Sequence, residues 1–314
     1  DFYIDPKGSV KRAVITHAHS DHARSGHESY LCSETCKPLL QIRIGESSKI
    51  ESVPFGKKIK IGDAFVSLHP AGHILGSAQV RVEVKGQIWV VSGDYKPQAD
   101  QTCEAFEWVS CHGCVSECTL GLPVYRWLPE KSIHQQINDW WSENIEDGRP
   151  SLLFSYSLGK AQRVLAGLKE NIGPVFIHSA VYPFLEHYEK AGVKLPRVTK
   201  IERGGEHDFR KSIIVAPPAV EDSTWARKFG SARKGFASGW MAVRGARRRR
   251  NLDRGFILSD HADWQGLIDT IMGTGAEQIQ LTHGNGEALT RYLCENGLNC
   301  SVLSGAGMRG EEEE

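Results

Sequence analysis

The stretch of sequence that decides the fold is HAHSDH, residues 17–22, which places four potential metal ligands within six positions. Three imidazoles and one carboxylate form a ligand set that suits zinc, manganese or iron. Because neighbouring residues of a tight loop point in different directions, His17 and His19 can bind one ion while Asp21 and His22 reach a second ion beside it. A polar surface loop with chance histidines is the alternative, and the ligand-type residues further along the chain make it the weaker one.

Three more ligand-type side chains follow short apolar stretches that predict strands. His73 lies in PAGHILGS, Asp94 in SGDY and His283 in THG, and each of these motifs contains glycine. Strand ends joined by short turns form a rigid scaffold for ligands. A site for two ions also needs a ligand that both ions share, and the Asp94 carboxylate is the natural candidate.

Three segments of different character make up the 314 residues. Residues 1–120 show strand and turn patterns, residues 121–248 alternate predicted strands with predicted helices, and residues 249–314 return to the first style. Alternating strands and helices predict a parallel sheet covered by helices. We therefore predict an α/β protein in which an α/β domain at 121–248 is inserted into a larger one.

The net charge of the whole chain is zero, but its distribution is uneven. Residues 121–254 contain 23 Lys and Arg against 14 Asp and Glu, a net charge of +9, so the remainder carries −9. The acidic part includes the terminal run of glutamates at 311–314. A basic segment can bind a polyanion although the chain as a whole is neutral.

The eight cysteines are too few to form a disulfide scaffold in a chain of this length. We expect free thiols and a cytoplasmic protein. Cys111 and Cys114 form a CxxC motif near Cys103 and Cys118, so a structural zinc site is an alternative. It is the weaker alternative because no second CxxC motif follows. No apolar run approaches the ~20 residues that cross a bilayer, so no membrane association is expected.

In combination, HAHSDH, PAGHILGS and SGDY resemble the successive motifs of the metallo-β-lactamase superfamily. The resemblance implies an αββα sandwich with two divalent metal ions, Zn²⁺ and/or Mn²⁺. The implied ligands of the first ion are His17, His19 and His73. The implied ligands of the second ion are Asp21, His22 and His283, with Asp94 bridging the two ions.

The long basic segment before His283 resembles the inserted domain of the β-CASP nucleases. Glu117, at the end of a predicted strand, resembles the acidic motif A of that group, His261 in SDHAD resembles motif B, and His283 resembles the histidine form of motif C. The stretches FYIDP, GLPVYRW and GWM narrow the resemblance to bacterial DNA-ligase-associated repair exonucleases, which are similar to Artemis and the crosslink-repair nucleases. The main departure is Cys118, where a small hydroxyl residue is usual.

This resemblance implies phosphodiester hydrolysis by a hydroxide that the two ions activate for in-line attack on phosphorus. The leaving oxygen then needs a proton, and His261, oriented by Glu117, is the predicted general acid. Imidazole titrates near pH ~6.5, and a nearby carboxylate favours its charged form. Asp21 and Asp94 are catalytic in this scheme through the ions that they bind.

Six basic side chains are the candidate nucleic-acid contacts: Lys160, Arg244, Arg247, Arg248, Arg249 and Arg250. The arginines lie on the return from the inserted segment to His261, where contact with phosphate is expected, although such a run is also typical of a solvated loop. Lys160 lies at a predicted helix start, where it could hold a terminal phosphate or simply begin the helix.

The predicted function is a metal-dependent exonuclease that acts in repair on DNA with a free end, in a pathway with a DNA ligase and a helicase. An RNA-processing nuclease of the same fold is the alternative, because the chemistry at phosphorus is the same. The basic inserted domain makes a small-molecule metallo-hydrolase, for example of thioesters or lactams, a weaker alternative. A binding module without catalysis is disfavoured because every expected ligand is present.

Overall fold

A computed structural model describes residues 1–202, 205, 207–243, 245, 252–284 and 286–303. The chain forms two compact units. The first consists of Asp1–Tyr125 and the described residues from Asp260 onward, and the second consists of Arg126–Ser259. No helix among the described residues is both long and apolar enough to cross a bilayer.

The described residues contain seventeen strands: β1 Tyr3–Ile4, β2 Ala13–Val14, β3 Tyr30–Ser33, β4 Ile50–Val53, β5 Ile59–Ile61, β6 Ala64–Pro70, β7 Ala78–Val84, β8 Gln87–Val91, β9 Gly113–Glu117, β10 Ser151–Phe154, β11 Val175–Ile177, β12 Val198–Lys200, β13 Ile213–Ala216, β14 Arg233–Ala237, β15 Arg254–Phe256, β16 Gln278–Thr282 and β17 Asn299–Val302. The α-helices within the described ranges are α1 Cys36–Ile44, α2 Glu130–Glu146, α3 Lys160–Ala166, α4 Tyr182–Lys190, α5 Thr224–Arg227, α6 Trp264–Gly273 and α7 Glu287–Glu295. Short 3₁₀ helices lie at Pro218–Val220 and Gly239–Ala242.

Two sheets form the centre of the first unit. Strands β1 to β4 pair in sequence order as a parallel sheet, and the other sheet has the order β17-β16-β9-β8-β7-β6-β5. Val14 and Leu31 from the smaller sheet share a buried cluster with Val66 and Val80 from the larger one. Burial of this apolar surface stabilises the sandwich, at roughly 25 cal/mol per Å².

Helices cover the outer faces of both sheets. Helix α1 packs on β3 and β4 and buries Leu39 and Leu40. Helices α6 and α7 bury Leu267 and Leu289 in a cluster with Ile279 of the larger sheet. The four layers of the first unit are therefore helix, sheet, sheet and helix, which confirms the predicted αββα fold class.

A parallel sheet of order β12-β11-β13-β10-β14-β15 forms the centre of the second unit. One buried cluster joins the sheet to α2, α3 and α4, and a cluster on the other face includes Phe229 and Met241. Trp140 and Trp141 of α2 are buried, and the Trp140 ring lies 5.4 Å from that of Phe256. Both tryptophans therefore pack in the core.

The boundaries between the units lie later in the chain than the sequence patterns indicate. The expected breaks followed residues 120 and 248, whereas the units divide after Tyr125 and after Ser259. Strand β15 pairs in parallel with β14, which keeps this part of the chain in the second unit. The Tyr125 carbonyl accepts a hydrogen bond from the Trp264 amide, which ties Tyr125 to the first unit.

Candidate metal centre

Seven ligand-type side chains converge at strand ends of the first unit. The HAHSDH stretch follows β2, His73 follows β6, Asp94 follows β8, and His283 follows β16. One group of potential ligand atoms comes from His17, His19, His73 and Asp94, and another comes from Asp21, His22 and His283. Within each group, all ligand atoms lie within 4.8 Å of one another.

The Asp94 carboxylate lies between the two groups. Its Oδ2 atom is 3.6 Å from His17 Nε2 and 3.9 Å from His73 Nε2 in the first group. The same oxygen is 3.4 Å from His22 Nε2 in the second group. Asp94 is therefore the carboxylate that links the two groups of potential ligands.

Asp5, to which the sequence pattern gave no role, orients two of the imidazoles. Its Oδ2 accepts a hydrogen bond from His22 Nδ1 at 2.8 Å and another from the Thr16 hydroxyl at 2.6 Å. Because the Thr16 hydroxyl donates to Asp5, it can accept from His17 Nδ1, which lies 3.0 Å away. Both imidazoles therefore present Nε2 to Asp94, as in metal sites where a carboxylate fixes the histidine tautomer.

The backbone of Asp260 orients His73 in the same way. His73 Nδ1 donates to the Asp260 carbonyl at 2.9 Å, which leaves the Nε2 lone pair facing the cluster. Burial lowers the pKa of His73 to about 3. The ring is therefore neutral at pH 7, which is the form that binds metal ions.

The electrostatics of the buried cluster also fit cation binding. Burial lowers the pKa of His17 well below its ordinary value, and His22 lowers it further. Burial alone would raise the pKa of Asp94, but His22 and the other histidines hold it well below the usual range. Burial likewise opposes the charged form of His22, yet Asp94 and Asp5 raise its pKa well above the ordinary value. The two carboxylates that favour a positive charge on His22 would also favour a bound cation.

Three buried polar atoms without hydrogen-bond partners indicate whether these residues could hold metal ions. His17 Nε2, His22 Nε2 and Asp94 Oδ1 have no hydrogen-bond partner among the described residues. Buried polar atoms are normally paired, because leaving one unpaired costs about 1–3 kcal/mol. Imidazole nitrogens and carboxylate oxygens are the donors that Zn²⁺ and Mn²⁺ accept, so the residues fit divalent cations.

A histidine and a glutamate form a buried pair beside the cluster. His261 Nδ1 donates to both carboxylate oxygens of Glu117, each at 3.0 Å, and both side chains are buried. The amides of Tyr95 and Thr119 also donate to this carboxylate, at 2.8 and 3.3 Å. The His261 ring centre lies 4.7 Å from that of His73, so the pair adjoins the potential ligands.

No protein-family model matches the chain, but sequence relatives share long regions with it. It is 32% identical over 306 residues to a protein of Opitutus terrae named Probable DNA ligase, a match that covers 96% of this chain and 30% of that protein. It is 29% identical over 204 residues to Cleavage and polyadenylation specificity factor subunit 3-I of Arabidopsis thaliana, which covers 53% of this chain and 28% of that protein. It is 23% identical over 185 residues to the RNase J-like protein of Methanocaldococcus jannaschii, a match that covers 52% of this chain and 44% of that protein. These relatives fit the β-CASP group of the metallo-β-lactamase superfamily.

The chain spans less than half the length of each of these three relatives. A solved structure extends the likeness to the fold. A protein of unknown function from Enterococcus faecalis superposes with a TM-score of 0.65 at 12% identity, over 94% of this chain and 80% of its own.

The turn that carries His73 is fixed by three side chains. The Ser77 hydroxyl accepts from the His73 amide at 3.1 Å, and Glu104 accepts from the Gly76 amide at 2.9 Å. The Ser33 hydroxyl donates to the Gly76 carbonyl at 2.6 Å. Gly76 has a φ of +76°, and a Cβ atom there would collide with the backbone nitrogen of Cys36.

Replacing Gly76 with alanine is therefore expected to lower the free energy of unfolding by ~3 kcal/mol, through backbone strain and overpacking. Gly86 is a matched control, since its φ is +82° but a Cβ atom added there would meet no other atom within 4 Å. Gly86→Ala should cost about 1 kcal/mol, the strain alone. Denaturant unfolding of both variants measures the difference, and equal losses would contradict the packing explanation.

Of the six predicted nucleic-acid contacts, only Lys160 lies among the described residues. Lys160 is 1% exposed, and its ammonium lies 4.4 Å from the centre of the Tyr156 ring, so its contact with a terminal phosphate stays a prediction. Helix α3 begins at Lys160 but has only seven residues. The arginines at 244 and 247–250 lie outside the described residues.

Proposed function

We propose that this chain is a metal-dependent DNA exonuclease that acts in repair on DNA with a free end. The observation that carries the proposal is the convergence of two ligand groups on Asp94, beside the buried pair of His261 and Glu117. The proposed ligands of one ion are His17, His19 and His73, those of the other are Asp21, His22 and His283, and Asp94 is shared.

Two bound divalent ions would supply Lewis-acid stabilisation of the phosphate and a nucleophile at neutral pH. The protein's own residues orient the site. Asp5 and the Asp260 carbonyl keep the imidazoles of His22 and His73 turned toward the cluster. Such outer partners typically affect metal affinity by about 10–100-fold.

In this proposal His261 gives a proton to the oxygen that leaves phosphorus. Glu117 accepts a hydrogen bond from His261 Nδ1–H, which leaves Nε2 as the atom that transfers a proton to the substrate. The carboxylate also stabilises the positive charge of the protonated ring. The amides of Tyr95 and Thr119 hold the carboxylate, so the donor is fixed before substrate binds.

DNA is the favoured substrate because the relative that matches nearly the whole chain is named Probable DNA ligase. This likeness also supports a pathway shared with a DNA ligase, and a helicase enters the proposal through the family resemblance alone. The eight free thiols suit a reducing compartment, so we place the protein in the cytoplasm. RNA is the second candidate, because the polyadenylation-factor and RNase J-like relatives match about half of the chain.

The test uses end-labelled, single-stranded DNA and RNA of the same sequence, and the duplex DNA, with Mn²⁺, Zn²⁺ or Mg²⁺. We expect stepwise shortening of DNA from one end, abolished by EDTA and restored by metal. The His261→Ala protein, purified in parallel, controls for contaminating nucleases. Faster cleavage of RNA would replace the proposal with the RNA alternative, and cleavage that persists in EDTA would contradict metal dependence.

A further inference from the structure

The backbone of His283 has an unusual conformation. Its φ is +53°, and the described residues include only two other non-glycine residues with positive φ, Asp5 and Lys85. Lys85 lies in the tight turn between β7 and β8, whereas Asp5 and His283 lie at the candidate metal centre. A strained backbone at a functional site persists only when its surroundings hold it.

Cys118 supplies the contacts that hold this segment. Its thiol lies 2.8 Å from the His283 carbonyl oxygen and 3.4 Å from that of Thr282. Its backbone amide donates to the same two carbonyls, at 3.1 and 2.9 Å. Cys118 is 1% exposed, so water does not compete for these bonds.

The neighbouring glycines leave room for this arrangement. Gly284 has a φ of +86°, and a Cβ atom there would collide with the Cys118 carbonyl oxygen. A Cβ atom on Gly286 would lie 3.2 Å from the Cys118 sulphur. The segment after β16 therefore lies directly against Cys118.

We propose that the Cys118 thiol is a positioning residue that holds the strained His283 peptide and so aims its imidazole at the second ligand group. The His283 ring is stacked on that of His22, with centres 4.8 Å apart and an angle of 23° between the planes. Loss of the thiol contact would loosen the His283 carbonyl. The His283 backbone could then relax toward negative φ, which would move the imidazole away from Asp21 and His22. The inference rests on the proposed function, in which His283 binds an ion.

The test measures Mn²⁺ binding to metal-free protein by calorimetry. Cys118→Ala, which removes the thiol donor and keeps the backbone amide, should weaken the binding of one of the two Mn²⁺ ions about tenfold and leave the binding of the other unchanged. Cys118→Ser, which restores a hydroxyl donor, should bind both ions within about twofold of the wild-type protein. Cys114→Ala is the matched control, since Cys114 is a buried thiol of the same core cluster and should also bind like the wild-type protein.

The melting temperatures of the metal-free variants separate positioning from general destabilisation, because both alanine variants remove a buried sulphur from one core. Wild-type affinity for both ions in Cys118→Ala would overturn the inference, as would an equal loss in Cys118→Ser. If the wild-type protein binds no Mn²⁺ or Zn²⁺ at all, the proposed function itself fails.

Discussion

Replacing His261 with alanine is expected to slow DNA hydrolysis by about 10²–10⁴-fold, the usual contribution of a general acid. The loss should nearly vanish with bis(p-nitrophenyl) phosphate, because p-nitrophenolate leaves without a proton. Metal content should stay at the wild-type value, since His261 Nδ1 is bound to Glu117 and is not among the proposed ligands. Initial rates with the two substrates, measured side by side, test the assignment.

His69 offers a matched control for this experiment. Its Nδ1 lies 2.8 Å from Glu107, so it also forms a His–Glu pair, but neither residue is among the potential ligands. His69→Ala should leave both rates unchanged. Loss of metal from His261→Ala would instead make His261 a ligand, a role that its grouping with Asp94 and Glu117 would also allow. Equal loss on both substrates with metal retained would contradict the role of general acid.

Asp94→Asn is expected to have the largest effect of any single substitution. The amide keeps the shape of the side chain but removes the negative charge that faces His17, His22 and His73. Both proposed ions share this ligand, so metal content should fall for both and hydrolysis should drop by on the order of 10³-fold or more. Metal analysis after gel filtration and initial rates on DNA measure the two effects.

Asp63→Asn is the control, because Asp63 is an exposed aspartate in the turn between β5 and β6. It should retain metal and activity. Retention of two ions in Asp94→Asn would contradict the shared-ligand assignment, whatever the rate. Circular dichroism of both variants checks that the fold is kept.

The sequence allowed prediction of the features that depend on local spacing. HAHSDH lies within six residues, and the other ligand types follow apolar strands, so a scaffold that joins strand ends brings them together. The parallel sheet of the second unit followed from the alternation of strands and helices, whereas the αββα layers of the first unit were implied by the family resemblance. The pairing of Glu117 with His261, 144 residues apart, could be inferred only through the family resemblance.

Other features depend on tertiary contacts that no local pattern reveals. Asp5 reaches His22 because β1 pairs with β2, and the signal in hindsight is an aspartate at a strand end, like Asp94. Helix α1 has little apolar periodicity, so the sequence pattern does not predict it. The sequence places Lys160 at a helix start, and only the packed structure shows that its side chain is buried.

The order of the chain has a consequence for biosynthesis. Strand β16 pairs with β9 on one side and β17 on the other, yet β9 and β16 are separated in sequence by the whole second unit. A nascent chain that has emerged from the ribosome only to Ser259 already carries HAHSDH, His73, Asp94 and Glu117, but it lacks His261 and His283. Contacts between residues far apart in sequence form slowly. The proposed metal centre can therefore be completed only after the ribosome has synthesised the whole second unit.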